Sequence, residues 1–249
     1  IGDLHDITLM PVTGQVTYAR GVENDPTSGL WSYSDRSKEV VKPGYYATHL
    51  LRYNVDVELT ATKRVGFHKY TFNQKDEAAI VFDLQNGGCW DSPTEAYINK
   101  VGEKTIEGYR YSAGWANDQR VFFVAEFSEP ITSLDVMVDK NEAVLDSGKG
   151  KIVYARANVD AQKPVYVKVA LSPTSIENAK LNMQTELPGW DFEGTIAQAD
   201  QAWEKALAKV AMESSDAKSK KIFYTALYHT MVAPSEFCDV NGDYYGADH

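Results

Sequence analysis

Between Asp6 and Ser172 apolar side chains return at every second residue, and no stretch there keeps a helical period long enough to cross back over a sheet. In "NVDVELTATKR", Val55, Val57, Leu59 and Ala61 alternate with Asp56, Glu58, Thr60 and Thr62, the pattern of a strand with one wet face. "DITLMPV", "QVTYAR", "VGFHKYTF", "AAIVFDL", "EAYINKV", "TIEGYRYSA", "RVFFVAEF", "ITSLDVMV", "KIVYARA" and "VYVKVALS" repeat it, so about a dozen strands are expected. Turn residues separate them, as in "QNGGCWDSP" and "DSGKG". Without crossover helices a βαβ architecture is excluded, which leaves an antiparallel sandwich or barrel. "RVFFVAEF" is apolar on both faces and should be a central strand covered on both sides; Glu126 within it reads as inward-facing.

Pro173 changes the regime. "TSIENAKLNMQTEL" is short, polar and helix-compatible, and after "PGWDFEGT" the residues Ile196, Ala199, Trp203, Leu207 and Val210 fall on one helical stripe with Asp191 as N-cap. Another helix opens after Ser214 or Ser215, with Ile222, Phe223, Ala226, Leu227, Thr230 and Met231 on its buried side and Pro234 at its end. Nothing follows to cover those stripes, so the chain is expected to be a piece of something longer, divided into a β-sandwich over 1–172, a helical linker over 173–213 and the start of an all-α unit over 214–249.

A net charge of -10 repels phosphate backbones and anionic lipid, and no apolar run approaches the roughly 20 residues of a bilayer span. Neither a nucleic-acid partner nor membrane insertion is expected. Cys89 and Cys238 lack the spacing of a metal or redox motif. Nucleophile and phosphate-cradle motifs are absent. "DVNGDY" echoes a calcium loop but has its glycine one place early and no closing glutamate. It reads instead as a two-residue hairpin turn with Asn241 and Gly242 at positive φ. Asp3 and His5, at i and i+2 near a strand start, share one face in a geometry suited to gripping hydroxyls. The many Tyr and Trp are first of all strand residues, and also the kind of flat ring on which sugars stack.

The blocks "GDLHDITLMPVTG", "GWANDQRVFFVAEFS", "VYVKVALSPTSIENAKLNM", "AWEKALAKV" and "KKIFYTALYHTMVAPSEFCDVNGDYYGADH" together resemble family 92 of the glycoside hydrolases, the calcium-dependent α-mannosidases of glycan-degrading bacteria. The resemblance implies a mainly β fold: an antiparallel β-sandwich of the galactose-mutarotase-like supersandwich type, with connecting helices leading into an α/α toroid. It further implies an inverting exo-α-1,2-mannosidase acting on mannose-containing glycans, in the periplasm, at the cell surface or secreted. Its acid and base would stand about 6.5–9.5 Å apart with a water between them. Both carboxylates and most of the calcium ligands are expected in the helical domain, beyond His249. No catalytic or metal residue is therefore expected here, and the rest of the same polypeptide is the expected partner. The sandwich would form one wall of the sugar pocket, with Asp3, His5, His229 and Asp239 as the substrate-binding candidates. A non-catalytic carbohydrate-binding sandwich is the alternative.

Overall fold

The computed structural model describes residues 6–246 and 248, except 26, 75–76, 87–89, 140–143 and 234. The described strands are β1 (Thr8–Val12), β2 (Val40–Lys42), β3 (Tyr45–Leu50), β4 (Val55–Ala61), β5 (Val65–Phe72), β6 (Ala79–Asp83), β7 (Ser92–Val101), β8 (Thr105–Ala113), β9 (Gln119–Phe127), β10 (Ile131–Val138), β11 (Val144–Leu145), β12 (Ser147–Gly150), β13 (Val153–Val159) and β14 (Val165–Ser172). Three helices follow: α1 (Ile176–Glu186), α2 (Phe192–Leu207) and α3 (Ala217–Thr230). The strands form two antiparallel sheets, five-stranded in the order β1-β6-β13-β10-β11 and nine-stranded in the order β12-β7-β8-β9-β14-β5-β4-β3-β2.

Alternation explains the two-layer core. On β9, Val121, Phe123, Ala125 and Phe127 are fully buried, and the last three face the five-stranded sheet, where Phe82 of β6 stacks on Phe123 at 5.9 Å. The opposite side of the same strand is covered as well. Val124 joins Val65, Phe67 and Ala170 in a second core closed by Ala179, Met183 and Leu187 around α1 and by Phe192 of α2. β9 is thus the doubly covered central strand its composition calls for. Glu126 lies on the helix-side face rather than inward, beside its cross-strand neighbour Lys168, which it meets at 2.7 Å.

Each helix begins on an oxygen. Ser175 Oγ accepts from Asn178 N, Asp191 from Gly194 N, and Asp216 from Lys218 N and Ser219 N, answering amides that a first turn cannot pair. α1 and the start of α2 bury side chains against the large sheet, whereas no residue of α3 is buried. Ile222 is 60% exposed and Phe223, Leu227 and Met231 are only half-buried, so the side expected to be covered is incompletely covered within this chain. The edge-to-face contact of Trp203 with Tyr228, at 4.8 Å, joins α2 to α3. No described helix is long and apolar enough to cross a membrane.

Two local expectations are corrected. "QVTYAR" forms no strand: Val16 and Tyr18 do pack on the core, but Ala19 N bonds Thr17 O and Ala19 O accepts from Leu30 N, so turns take the groups a ladder needs. The "DVNGDY" turn is a three-residue loop, because Gly242 N bonds Asp239 O, Asp239 N bonds Asp243 O, and of its residues only Gly242 takes a positive φ, +89°. A first turn followed by one left-handed glycine needs no positive φ at Asn241.

Candidate functional site

Several connections meet at one end of the nine-stranded sheet: the β4–β5 turn, the end of β14, the β8–β9 hairpin and the loop before β7. The segment from Glu236 to Gly246 crosses this end over β5, β14 and β9 in turn. Over the β4–β5 turn, Arg64 donates through Nε to Cys238 O at 2.6 Å and through Nη1 to Glu186 of α1 at 2.6 Å. At the end of β14 the Asp239 carboxylate is 1% exposed and accepts from Ser172 Oγ (2.8 Å), Thr174 Oγ1 (2.5 Å) and the amides of Asn178 (3.1 Å) and Asn182 (2.6 Å). At the start of β9, Tyr245 donates to Asp118 at 3.3 Å and lies 5.0 Å from the guanidinium of Arg120, which also lies 4.9 Å from the Tyr111 ring. Arg120 also pairs with Asp118 at 3.0 Å. A cleft of about 450 Å³ lies between this segment and residues 116–120.

Beside the cleft sits a buried arginine. On β8 the inward set is Ile106, Gly108, Arg110 and Ser112, and Arg110 is fully buried. Its Nε donates to Leu84 O at 2.8 Å, and its Nη1 to Asp91 at 2.6 Å and to Asp6. Gln119 adds a 2.6 Å bond to the other Asp6 oxygen. Burial pushes the Asp6 carboxyl up, against the pull of Arg110. Asp91 is also penalised by burial, but its hydrogen bonds from Arg110 and Ser112 prevail and hold it below the usual range. One guanidinium therefore fixes Asp6, Asp91 just before β7 and, through the Asp6–Gln119 bond, the start of β9. Gly114 lies so close to the same loop that a Cβ there would stand 2.8 Å from Asp91 Cα, which only glycine permits.

Of the candidates from sequence, Asp3 and His5 lie outside the described residues, although Asp6 next to them is anchored at this end. Asp239 is here too, with its oxygens turned into the protein. His229 stands exposed in the last turn of α3, its ring 5.8 Å from Tyr228. Pattern reading passed over Arg64, Arg110 and Arg120; the one available signal was a cation at an inward position of an alternating strand. Among the described residues no group of three or more His, Cys, Asp or Glu is placed to hold a metal ion. The partners of Asp239 are hydroxyls and amide NH₂ groups, donors that occupy the very lone pairs a hard cation requires. These residues do not fit calcium.

Comparison with known proteins gives two family models: the glycosyl hydrolase family 92 N-terminal domain over residues 1–172 and the glycosyl hydrolase family 92 catalytic domain over residues 178–249. A family GH92 α-mannosidase from Bacteroides thetaiotaomicron superposes with a TM-score of 0.93 and 32% identity, over 98% of this chain and 34% of that one. The same enzyme in complex with mannoimidazole gives a TM-score of 0.92 at 32% identity, over 98% and 33%. A family GH92 inverting mannosidase from Bacteroides thetaiotaomicron VPI-5482 shares the fold at 21% identity and a TM-score of 0.80, over 96% and 32%. No curated protein sequence matches the chain. The chain spans about a third of the length of the solved relatives it matches.

Proposed function

The chain belongs to glycosyl hydrolase family 92, and from that premise we propose that its protein is an α-mannosidase, exo-acting and inverting, that removes α-1,2-linked mannose from glycans. The observation that carries this reading is the 32% identity to an α-mannosidase across 98% of the chain, at a TM-score of 0.93. In this reading residues 1–172 are the sandwich, 173–213 the connecting helices and 214–249 the start of the helical catalytic domain. The sandwich supplies one wall of the sugar pocket and the domain interface. The acid and base belong to the helical domain, as does calcium, which would coordinate and orient vicinal sugar hydroxyls when bound.

The present residues bind and position. The incompletely covered side of α3, and a groove of about 680 Å³ lined by Ala199, Ala202, Trp203 and Met231, support further polypeptide of the same protein as the partner. Asp3, His5 and His229 are proposed to reach the sugar wall, and Asp239 to act on it through the turn that it holds. The location proposed with this activity is the periplasm, the cell surface or the medium of a bacterium.

The test is an assay of the intact protein on α-1,2-mannobiose, with the anomer first released read by proton NMR and with calcium removed by chelation. Mannose released as the β-anomer, and lost on chelation, is the expected result. Release of the α-anomer overturns inversion, and the absence of any release overturns the mannosidase reading.

A further inference from the structure

We propose that Trp115 and Trp90 form a stacking platform for glycan residues beyond the mannose being released, a proposal that rests on the mannosidase reading. Trp115 is 91% exposed and Trp90 69%, the two most exposed tryptophans among the described residues. They stand on neighbouring loops, since Gly114 and Asp91, the residues next to them in sequence, are in contact.

The residues next to both tryptophans are anchored. The Arg110–Asp91 bond fixes Asp91, the residue next to Trp90. Gln119, bonded to Asp6 on the same guanidinium, fixes the far end of the hairpin that carries Trp115. A fully buried cation and two carboxylates are costly to desolvate, and here they hold in place two loops whose largest apolar groups face solvent. Backbone anchored next to the rings loses little freedom on meeting a ligand.

The surroundings select the class of ligand. A protein-docking face needs a contiguous apolar patch with its polar groups at the rim. Trp115 is instead followed at once by Ala116, Asn117, Asp118, Gln119 and Arg120, which line the 450 Å³ cleft. A flat ring bordered by amides and charged groups suits a sugar, whose C–H face covers the indole while its hydroxyls reach neighbours such as exposed Asn117. The cleft also lies where the catalytic-domain segment crosses the sandwich, so a glycan on this platform would extend from the pocket at the domain boundary.

The experiment compares linear α-mannotetraose with 4-nitrophenyl α-mannoside, which has a single sugar, in the intact wild-type protein and in Trp115→Ala, Trp90→Ala and Trp115→Phe. In the alanine variants the ratio of kcat/KM for the tetraose to that for the aryl mannoside should fall about tenfold. Trp115→Phe should restore much of it. Simple damage to folding lowers both substrates together, so an unchanged ratio overturns the platform. A protein that hydrolyses neither compound overturns the mannosidase reading instead. The platform is then decided by tryptophan fluorescence: mannotetraose should alter emission in the wild type and not in Trp115→Ala, and no change in the wild type overturns it.

Discussion

Arg110 shows how one side chain can organise a region and stay invisible to a reading of patterns. In "TIEGYRYSA" alternation alone does not say which set is inside, and two tyrosines compete with an arginine for the core. Asp6, Asp91 and the Leu84 carbonyl answer Nε and Nη1 of the buried Arg110 and leave Nη2 without a partner, while Tyr109 and Tyr111 stack on each other at 4.4 Å on the outer face. Those partners lie about 20 to 100 residues away, beyond any local period. Arg110→Met leaves two carboxylates without their cation and should cost about 3–5 kcal/mol, read as a lower denaturant midpoint at constant slope. Asp239 was legible as an important residue, but its direction was not. It accepts from four neutral donors, so Asp239→Asn sets an amide NH₂ against them and should cost at least about 2 kcal/mol. His68, on the inner face of β5, shares a 2.6 Å hydrogen bond with Tyr70, and burial pushes its pKa down to about 4. The unfolded chain then binds more protons than the native one between pH 6.5 and pH 4. Stability conferred by neutral His68 is complete above pH 6.5 and lost as pH falls towards 4, by up to about 3 kcal/mol. Urea midpoints measured across that window should flatten in His68→Gln.

Strands and helices were the most legible level, because period two and period three to four are set by backbone geometry and need no distant information. β9 reads as central from its own composition, and α2 from its stripe and its Asp191 cap. β3 is less legible, although His49 reads as lying in a strand run, since its pattern is broken: Thr48 and His49, adjacent in sequence, are both buried, with His49 paired to Asp56 at 2.6 Å. The helix layer depends on a few aromatic contacts. Phe67 is fully buried and meets Phe192 at 5.1 Å, Tyr166 at 6.0 Å and Trp190 at 6.0 Å. Phe67→Ala should cost about 3–5 kcal/mol and weaken the near-ultraviolet dichroism of Trp190 as the start of α2 loosens.

Across the whole molecule two cores share one sheet, the larger between the sheets and the smaller under α1 and α2. α3 belongs to neither, so Ile222→Lys should change the unfolding free energy of residues 1–249 by less than about 0.5 kcal/mol, which chemical denaturation can check. That the sheets carry a site at one end was not legible, because a site made by loops from β4 to β14 and by a segment after α3 exists only once they are folded together. The crossing segment has a further consequence. Residues 236–246 return to the sandwich after two helices and an exposed stretch around Lys209, and are gripped there by Arg64, Ser172 and Asn182. Covalent continuity is therefore not what keeps them in place. A single tryptic nick after Lys209 should yield two bands on a denaturing gel that still elute together as one native species, the severed strap remaining buckled to its frame.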